Sequence, residues 1–218
     1  MTPQVIVGLV SALGAAVRGN WSPCGESLQA QIHPLGESSR GNIWGVTITA
    51  FTIGSMAAGA ALCALFAWLG MLLVPGMSTT TALTITAVLA VVAGVLDLSP
   101  VKPLTPRRQV NQDWIGRYRG WVYGLGFGVQ LGVGFAVFVM SWGYYAMLGA
   151  AFLSRSILAG VLMGAIFGLG RGLLLYPSRW ITSPDKLFRF HRKLMDIKSP
   201  VFTATGVTTV LVALVVLI

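Results

Sequence analysis

The sequence predicts an all-α, polytopic membrane protein whose six transmembrane helices form two inverted three-helix repeats. Composition is the first reason, because 55% of the 218 residues are hydrophobic and only 10% are charged, whereas soluble domains carry about 25% charged residues. The second reason is a set of six long apolar segments, and the third is the distribution of basic residues between them. These features exclude an ordinary soluble enzyme, a disordered chain and a disulfide-stapled secreted module.

Each apolar segment is long enough to cross a bilayer, which takes about 20 mostly apolar residues. Backbone groups in lipid must be hydrogen-bonded within the chain, so the segments are expected to be helices rather than open strands. Pro75, Pro100 and Pro177 follow the ends of three of them. The predicted crossings comprise approximately residues 5–32, 43–74, 80–98, 121–148, 157–175 and 200–218.

Basic residues predict the orientation of these helices. The connections after the first, third and fifth helices hold twelve Lys and Arg residues, whereas the opposite connections hold only Arg155. Cytoplasmic loops carry the excess of basic residues, so we expect a multi-pass protein of the cell (plasma) membrane with both termini extracytoplasmic. The twelve residues are Arg40, Lys102, Arg107, Arg108, Arg117, Arg119, Arg179, Lys186, Arg189, Arg192, Lys193 and Lys198.

Three helices that enter from outside are followed by three that enter from inside, which is the pattern of inverted repeats. The predicted domains are a first half, residues 1–98, a basic cytoplasmic linker, residues 99–120, and a second half, residues 121–218. Glycines recur at every fourth position from 160 to 172 and from 124 to 132. Such stripes favour close helix packing, so large side chains there should be poorly tolerated.

The first helix contains a polar interruption between Arg18 and Glu26, and we expect the functional site there. Pro23 removes a backbone donor, and irregular backbone at membrane depth is tolerated only where it faces protein or a water-filled cavity. Arg18 and Glu26 should face inward for a similar reason. Alternatively, the helix ends near Val17, and residues 18–41 form an interfacial or re-entrant segment. The candidate binding residues are Arg18, Asn20, Ser22, Pro23, Glu26, Gln29 and, from the fourth helix, Gln130.

Other polar residues suggest further contacts. Glu26, Gln29 and His33 have helical spacings of three and four, so we expect them on one helical face. Arg171, inside the fifth helix, is expected to snorkel to an interface, with an ion pair to Glu26 as the alternative. Asp97 is a candidate structural partner for a charge elsewhere in the bundle.

Metal and cofactor motifs are missing from the sequence. The two histidines and two cysteines show no metal-ligand spacing, and neither a phosphate-binding loop nor a hydrolase motif is present. We therefore expect no cofactor, no metal site and no conventional enzyme activity. The expected partner is the lipid bilayer, and no nucleic acid partner is expected.

Ser22-Pro23-Cys24, late in the first helix, resembles the cytochrome c biogenesis transmembrane family of the CcdA/DsbD type. The resemblance extends to the architecture of nearly the whole chain. It implies that cysteines in the two halves pass electrons from a thioredoxin-like protein to extracytoplasmic thiol proteins. The chain departs from that pattern because its fourth helix holds no cysteine. Cys24 is therefore the candidate catalytic thiol, while Cys63 is expected to be a packing residue.

Three functions follow from these observations. The first is a single-cysteine thiol-exchange or protein-maturation component, with a thioredoxin-like or other membrane protein as its partner. The second is a small-solute or ion transporter on the same scaffold, in which Glu26 carries a proton. The third is a scaffold subunit of a membrane complex, whose basic loops face anionic lipid or an acidic partner.

Overall fold

The computed structural model describes residues 2–106 and 108–218. Met1, and Arg107 from the predicted basic linker, lie outside the described residues. The described residues form α-helices joined by loops and two 3₁₀ turns, Gly19–Trp21 and Tyr176–Trp180, and contain no strand. The helices are α1 (Pro3–Arg18), α2 (Pro23–Gln31), α3 (Pro34–Ser39), α4 (Trp44–Leu73), α5 (Thr79–Leu98), α6 (Trp114–Arg117), α7 (Gly120–Val133), α8 (Gly143–Ser154), α9 (Ile157–Leu173), α10 (Pro184–Asp196) and α11 (Lys198–Leu217).

The helices confirm a multi-pass, all-α membrane protein. Among the described residues, α4, α5, α11 and the segment Ile157–Trp180 are each long and apolar enough to cross a bilayer. A fifth candidate is the pair Pro3–Trp21 and Pro23–Gln31, which is bent by 65° as in a broken crossing or a re-entrant segment. Exposed apolar side chains on these helices are placed to contact lipid.

The predicted continuous helix over residues 121–148 is wrong. The chain leaves the helix after Val133, and α8 begins only at Gly143. Gly134 has a φ of +72°, a conformation that residues with a Cβ rarely adopt. The Tyr144 ring occupies the space that a Cβ would need there, and its hydroxyl donates to the Val133 carbonyl. Tertiary contacts therefore hold the break open without a proline.

Helix α4 lies at the centre of the bundle, between α7 and α9. The glycine stripes form both contacts, as the sequence predicts. Gly59 of α4 and Gly164 of α9 pack so closely that a Cβ on either would overlap the other's carbonyl oxygen. Gly128 of α7 similarly packs on the Phe51 carbonyl of α4. Side chains at these positions would force the helices apart, which explains why the stripes are glycine.

The predicted interruption after Arg18 is confirmed, but the predicted polar face beyond it is wrong for His33. Helix α2 ends at Gln31, and His33 instead caps α3. Its Nδ1 accepts a hydrogen bond from the Gly36 N–H at 3.1 Å. His33 therefore does not continue the face that carries Gln29.

Candidate functional site

The Ser22-Pro23-Cys24 segment creates the break between α1 and α2. The Ser22 hydroxyl accepts a hydrogen bond from the Gly25 N–H at 3.0 Å and donates one to the Gly19 carbonyl at 2.7 Å. Pro23 takes the first position of α2, where its missing N–H is not needed. Cys24 lies buried in the first turn. In this structure the motif starts a new helix.

Arg18, the last residue of α1, is buried and surrounded by partners. Its guanidinium forms an ion pair with Asp97 at 3.4 Å. Nε donates to the Thr205 hydroxyl at 3.0 Å, and Nη2 donates to the carbonyls of Asp97 and Phe202 at 2.8 and 2.7 Å. The Phe202 ring lies 4.4 Å from Cζ, in a cation–π contact. Arg18 therefore joins α1 to the end of α5 and to α11.

Asp97 extends the same cluster to the start of α8. Its carboxylate accepts hydrogen bonds from the Ser141 hydroxyl at 2.6 Å and from the Trp142 N–H at 2.8 Å. A negative charge at a helix N-terminus is favourable because unpaired N–H groups point toward it. The expectation that Asp97 is a structural partner is confirmed, and its contacts fix the point at which α8 begins.

Arg171 of α9 is almost as deeply buried, at 7% exposed, but it has no such partners. Within the described part of the chain, no hydrogen bond or ion pair involves its guanidinium. Nη1 lies against Gly19, where an added Cβ would overlap it. Cys24, in the first turn of α2, forms no hydrogen bond with Arg171. Both predictions for Arg171 are wrong, because the side chain neither reaches an interface nor pairs with Glu26.

A small cavity is lined by Arg171 and by Gly19, against which the Arg171 guanidinium packs. It lies between the end of α1, the α7–α8 break and α9, and it has room for about one water-sized molecule. Its lining includes apolar residues, residues of the α7–α8 break such as Gly134 and Ser141, and Tyr144. Because the Ser141 hydroxyl donates to Asp97 and the Tyr144 hydroxyl to Val133, Arg171 provides the net charge of the cavity wall.

A second buried charge, which the sequence analysis missed, lies near the start of α4. Glu37 is fully buried, and the Tyr123 hydroxyl donates to its carboxylate, 2.5 and 2.6 Å from the two oxygens. Thr47 donates to it at 2.8 Å and Arg40 at 2.6 Å. Glu37 was hidden because it lies in a short polar connection, and only the fold brings Tyr123 to it. With three donor groups, it joins α3, α4 and α7.

The remaining predicted site residues separate into two groups. Asn20 and Gln29 are buried at the break, where the Gln29 amide donates to Asn20 at 3.1 Å. Glu26 is only half-buried on α2. Gln130 of α7 donates to the Gly126 carbonyl of its own helix at 3.4 Å and does not line the Arg171 cavity.

Cysteine and metal chemistry are limited by the same geometry. Cys24 and Cys63 are both buried and both free, and Cys63 packs within an apolar cluster as the sequence predicts. No group of three or more His, Cys, Asp or Glu side chains that could hold a metal ion occurs among the described residues.

The chain is similar to the methylamine utilization protein MauF of several bacteria. It is 32% identical to MauF of Methylophilus methylotrophus over 76% of this chain and 59% of that protein. It is 30% identical to MauF of Paracoccus versutus over 78% of this chain and 63% of that protein. The chain thus spans about three fifths of the length of these relatives. No family-level profile and no solved structure matches it.

These similarities overturn the suggested relationship to the CcdA/DsbD type. The matching proteins carry the name MauF, which denotes a different family. The thiol-exchange function inferred from Ser22-Pro23-Cys24 is therefore wrong. Three residues that begin a helix after a break arise from local capping chemistry, and that chemistry does not identify a redox protein. The transporter and scaffold alternatives gain no support from the MauF similarity either.

Proposed function

We propose that this chain acts in methylamine utilization as a multi-pass membrane protein. The observation that carries the proposal is the similarity to MauF proteins, which extends over about three quarters of the chain in two relatives. The membrane-spanning helices support the membrane part of the proposal independently. We place the working site at the helix breaks, where Arg171 is buried beside a cavity.

The proposed topology has six crossings, with α7 and α8 together forming the fourth. Helix α7 begins beside the start of α4, where Gly124 packs on Thr47. Helix α8 ends beside the far end of α4, where the Phe152 carbonyl packs on Gly70. The two short helices together therefore extend along nearly the whole of α4, whose 30 residues are sufficient for a crossing.

The contacts between helices support two inverted repeats with the halves at residues 1–98 and 121–218. The proposed equivalents are α1 with the α7–α8 pair, α4 with α9, and α5 with α11. Exchanging the halves then maps one set of contacts onto another: α4–α7 corresponds to α1–α9, and α5–α8 corresponds to α1–α11. The pairs α4–α9 and α5–α11 map onto themselves. Each half also begins with a broken helix.

The proposed orientation keeps both termini on the extracytoplasmic side of the plasma membrane. The basic residues support it, because those near the starts of α4, α7 and α11 lie at one end of the bundle. Cytoplasmic loops are the ones enriched in Lys and Arg. The connection around residues 99–119 is then a cytoplasmic linker between the halves.

Growth on methylamine tests the proposed function. A Paracoccus versutus strain without MauF would receive a chimaera in which this chain replaces the matched part of the native protein. Native MauF and an empty vector are the positive and negative controls. We expect the chimaera to restore growth on methylamine and to leave growth on an unrelated carbon source unchanged. A chimaera that accumulates in the membrane but gives no growth on methylamine would contradict the proposal.

A further inference from the structure

We propose that the Arg171 cavity is a binding site for one small monatomic anion such as chloride. The unpartnered guanidinium, the size of the cavity and its lining carry this inference. It does not depend on a role in methylamine utilization, because binding is a property of the isolated protein.

The buried Arg171 guanidinium lacks a counter-charge among the described residues. A buried ionised group is strongly unfavourable unless it is paired and hydrogen-bonded. Arg18 shows that this fold can surround a guanidinium with acceptors from three helices. Arg171 receives none of these from the described residues, although it is 7% exposed. An anion in the adjoining cavity would supply the charge and the acceptors that the protein does not.

The backbone leaves space for the Arg171 guanidinium where helices are broken. Gly19 lies directly against Nη1, and a Cβ at that position would overlap it. On the other side of the cavity, Gly134 turns the chain out of α7 with a positive φ. The α1–α2 break and the α7–α8 break, in two different proposed crossings, therefore both lie next to Arg171. Half-helices that meet inside a bundle are a known setting for ion sites in membrane proteins.

The size and the lining of the cavity restrict which anion can bind. The cavity accommodates about one water-sized molecule, so phosphate, sulfate and large organic acids are too bulky. Leu131, Val137 and Phe167 line it with apolar atoms, which offer nothing to a second negative charge. One guanidinium neutralises one charge, and its planar donors suit a halide or a carboxylate. Size and charge together select a small monoanion.

The test measures thermal unfolding of the purified full chain in lipid nanodiscs while the anion is changed at constant ionic strength. Gluconate, which is too large for the cavity, is replaced stepwise by chloride or, as a control, by sulfate. A ligand that binds only the folded protein lowers the unfolding equilibrium constant about tenfold for each tenfold increase in concentration above its Kd. We expect this logarithmic stabilisation with chloride and none with sulfate.

Variants localise the effect. Arg171→Met should abolish the stabilisation, and Arg189→Met, which removes an exposed arginine of α10, should leave it unchanged. Gly19→Ala should weaken it at least tenfold, because the new Cβ displaces the guanidinium. Chloride NMR line broadening on the same samples provides a direct readout that does not depend on unfolding.

Three results would overturn the proposal. One is the absence of any chloride effect on the unmodified chain by both measurements. Another is an equal effect in the Arg171→Met and unmodified chains, which would place the binding elsewhere. The third is stabilisation by sulfate equal to that by chloride, which would indicate a general salt effect. None of them bears on growth with methylamine, so the two proposals fail separately.

Discussion

Two arginines are buried within the same bundle and have opposite surroundings. Arg18 precedes Gly19 in the sequence, and Arg171 packs against Gly19 in the fold. Arg18 contacts a carboxylate, a hydroxyl, two carbonyls and an aromatic ring. Arg171 packs on a glycine and adjoins a cavity. Burial alone therefore does not reveal what a charged residue does in this protein. The difference lies in whether the protein itself supplies the partners.

Replacing each arginine with methionine is the largest expected contrast. Arg18→Met leaves the Asp97 carboxylate buried without its cation, and losing one member of a buried pair costs about 3–5 kcal/mol of unfolding free energy. Arg171→Met removes a charge without separating any pair, so we expect no loss of stability or a small gain. Denaturation in matched nanodiscs measures both. Equal destabilisation would show that Arg171 has a structural partner after all.

Glu37 allows the comparison to be extended to a negative charge. Like Arg18 it is saturated, here by Tyr123, Thr47 and Arg40. Glu37→Gln weakens these charge-assisted bonds, and we expect a loss of about 1.5–3 kcal/mol.

Glu26→Gln is the matched control for Glu37, because Glu26 is half-buried and its carboxylate forms no hydrogen bond with the described side chains. Its effect on unfolding free energy should stay within about 0.5 kcal/mol. Similar values for the two variants would mean that the Glu37 contacts contribute little.

Ser22 should show a smaller effect that reaches both arginines. Its hydroxyl caps α2 and donates a hydrogen bond to the carbonyl of Gly19, the residue that lies next to both arginines. Ser22→Ala should cost about 1 kcal/mol, the usual effect of losing an N-cap, and should also weaken anion binding. Ser38→Ala, on the exposed surface, serves as its control. A Ser22 variant that keeps full stability would show that Pro23 alone suffices to begin α2.

His33 should give the smallest effect, visible as a dependence of stability on pH. It lies between α2 and α3, outside the candidate spans, and burial lowers its pKa from the usual 6.5. The unfolded chain therefore takes up the proton first, so stability is complete above pH 6.5 and decreases as the pH falls below it. Protonation would also remove the Nδ1 acceptor that caps α3.

Asparagine variants separate His33 from the other histidine. His33→Asn retains a capping side chain without a titrating group, so this part of the pH dependence should disappear. His191→Asn should preserve it. If the dependence instead follows His191, the capping role assigned to His33 is wrong.

The sequence predicts the first break and misses the second for a physical reason. Proline disrupts a helix wherever it occurs in the interior, so Pro23 predicts a break from the local sequence alone. The break after Val133 contains no proline, and it depends on the Tyr144 ring beside Gly134 and on Asp97 at the start of α8. Those contacts join residues that are distant in sequence, so an apolar run gives no warning of them.

The same distinction explains the outcome for the candidate site. The polar interruption placed Arg18, Asn20 and Ser22 correctly at a break, because their neighbours in sequence create it. Arg171 could be recognised only as an isolated charge in an apolar helix. That it has no partner is a property of the folded bundle, where α1 and the α7–α8 break surround it.

Growth on methylamine with the Arg171→Met chimaera tests most directly whether the unpartnered arginine is the functional one. We expect this variant to accumulate in the membrane at the level of the unmodified chimaera but to fail to support growth on methylamine, while Arg189→Met supports it fully. If Arg171→Met accumulates normally and supports growth as well as the unmodified chimaera, the assignment of the working site to the Arg171 cavity is contradicted.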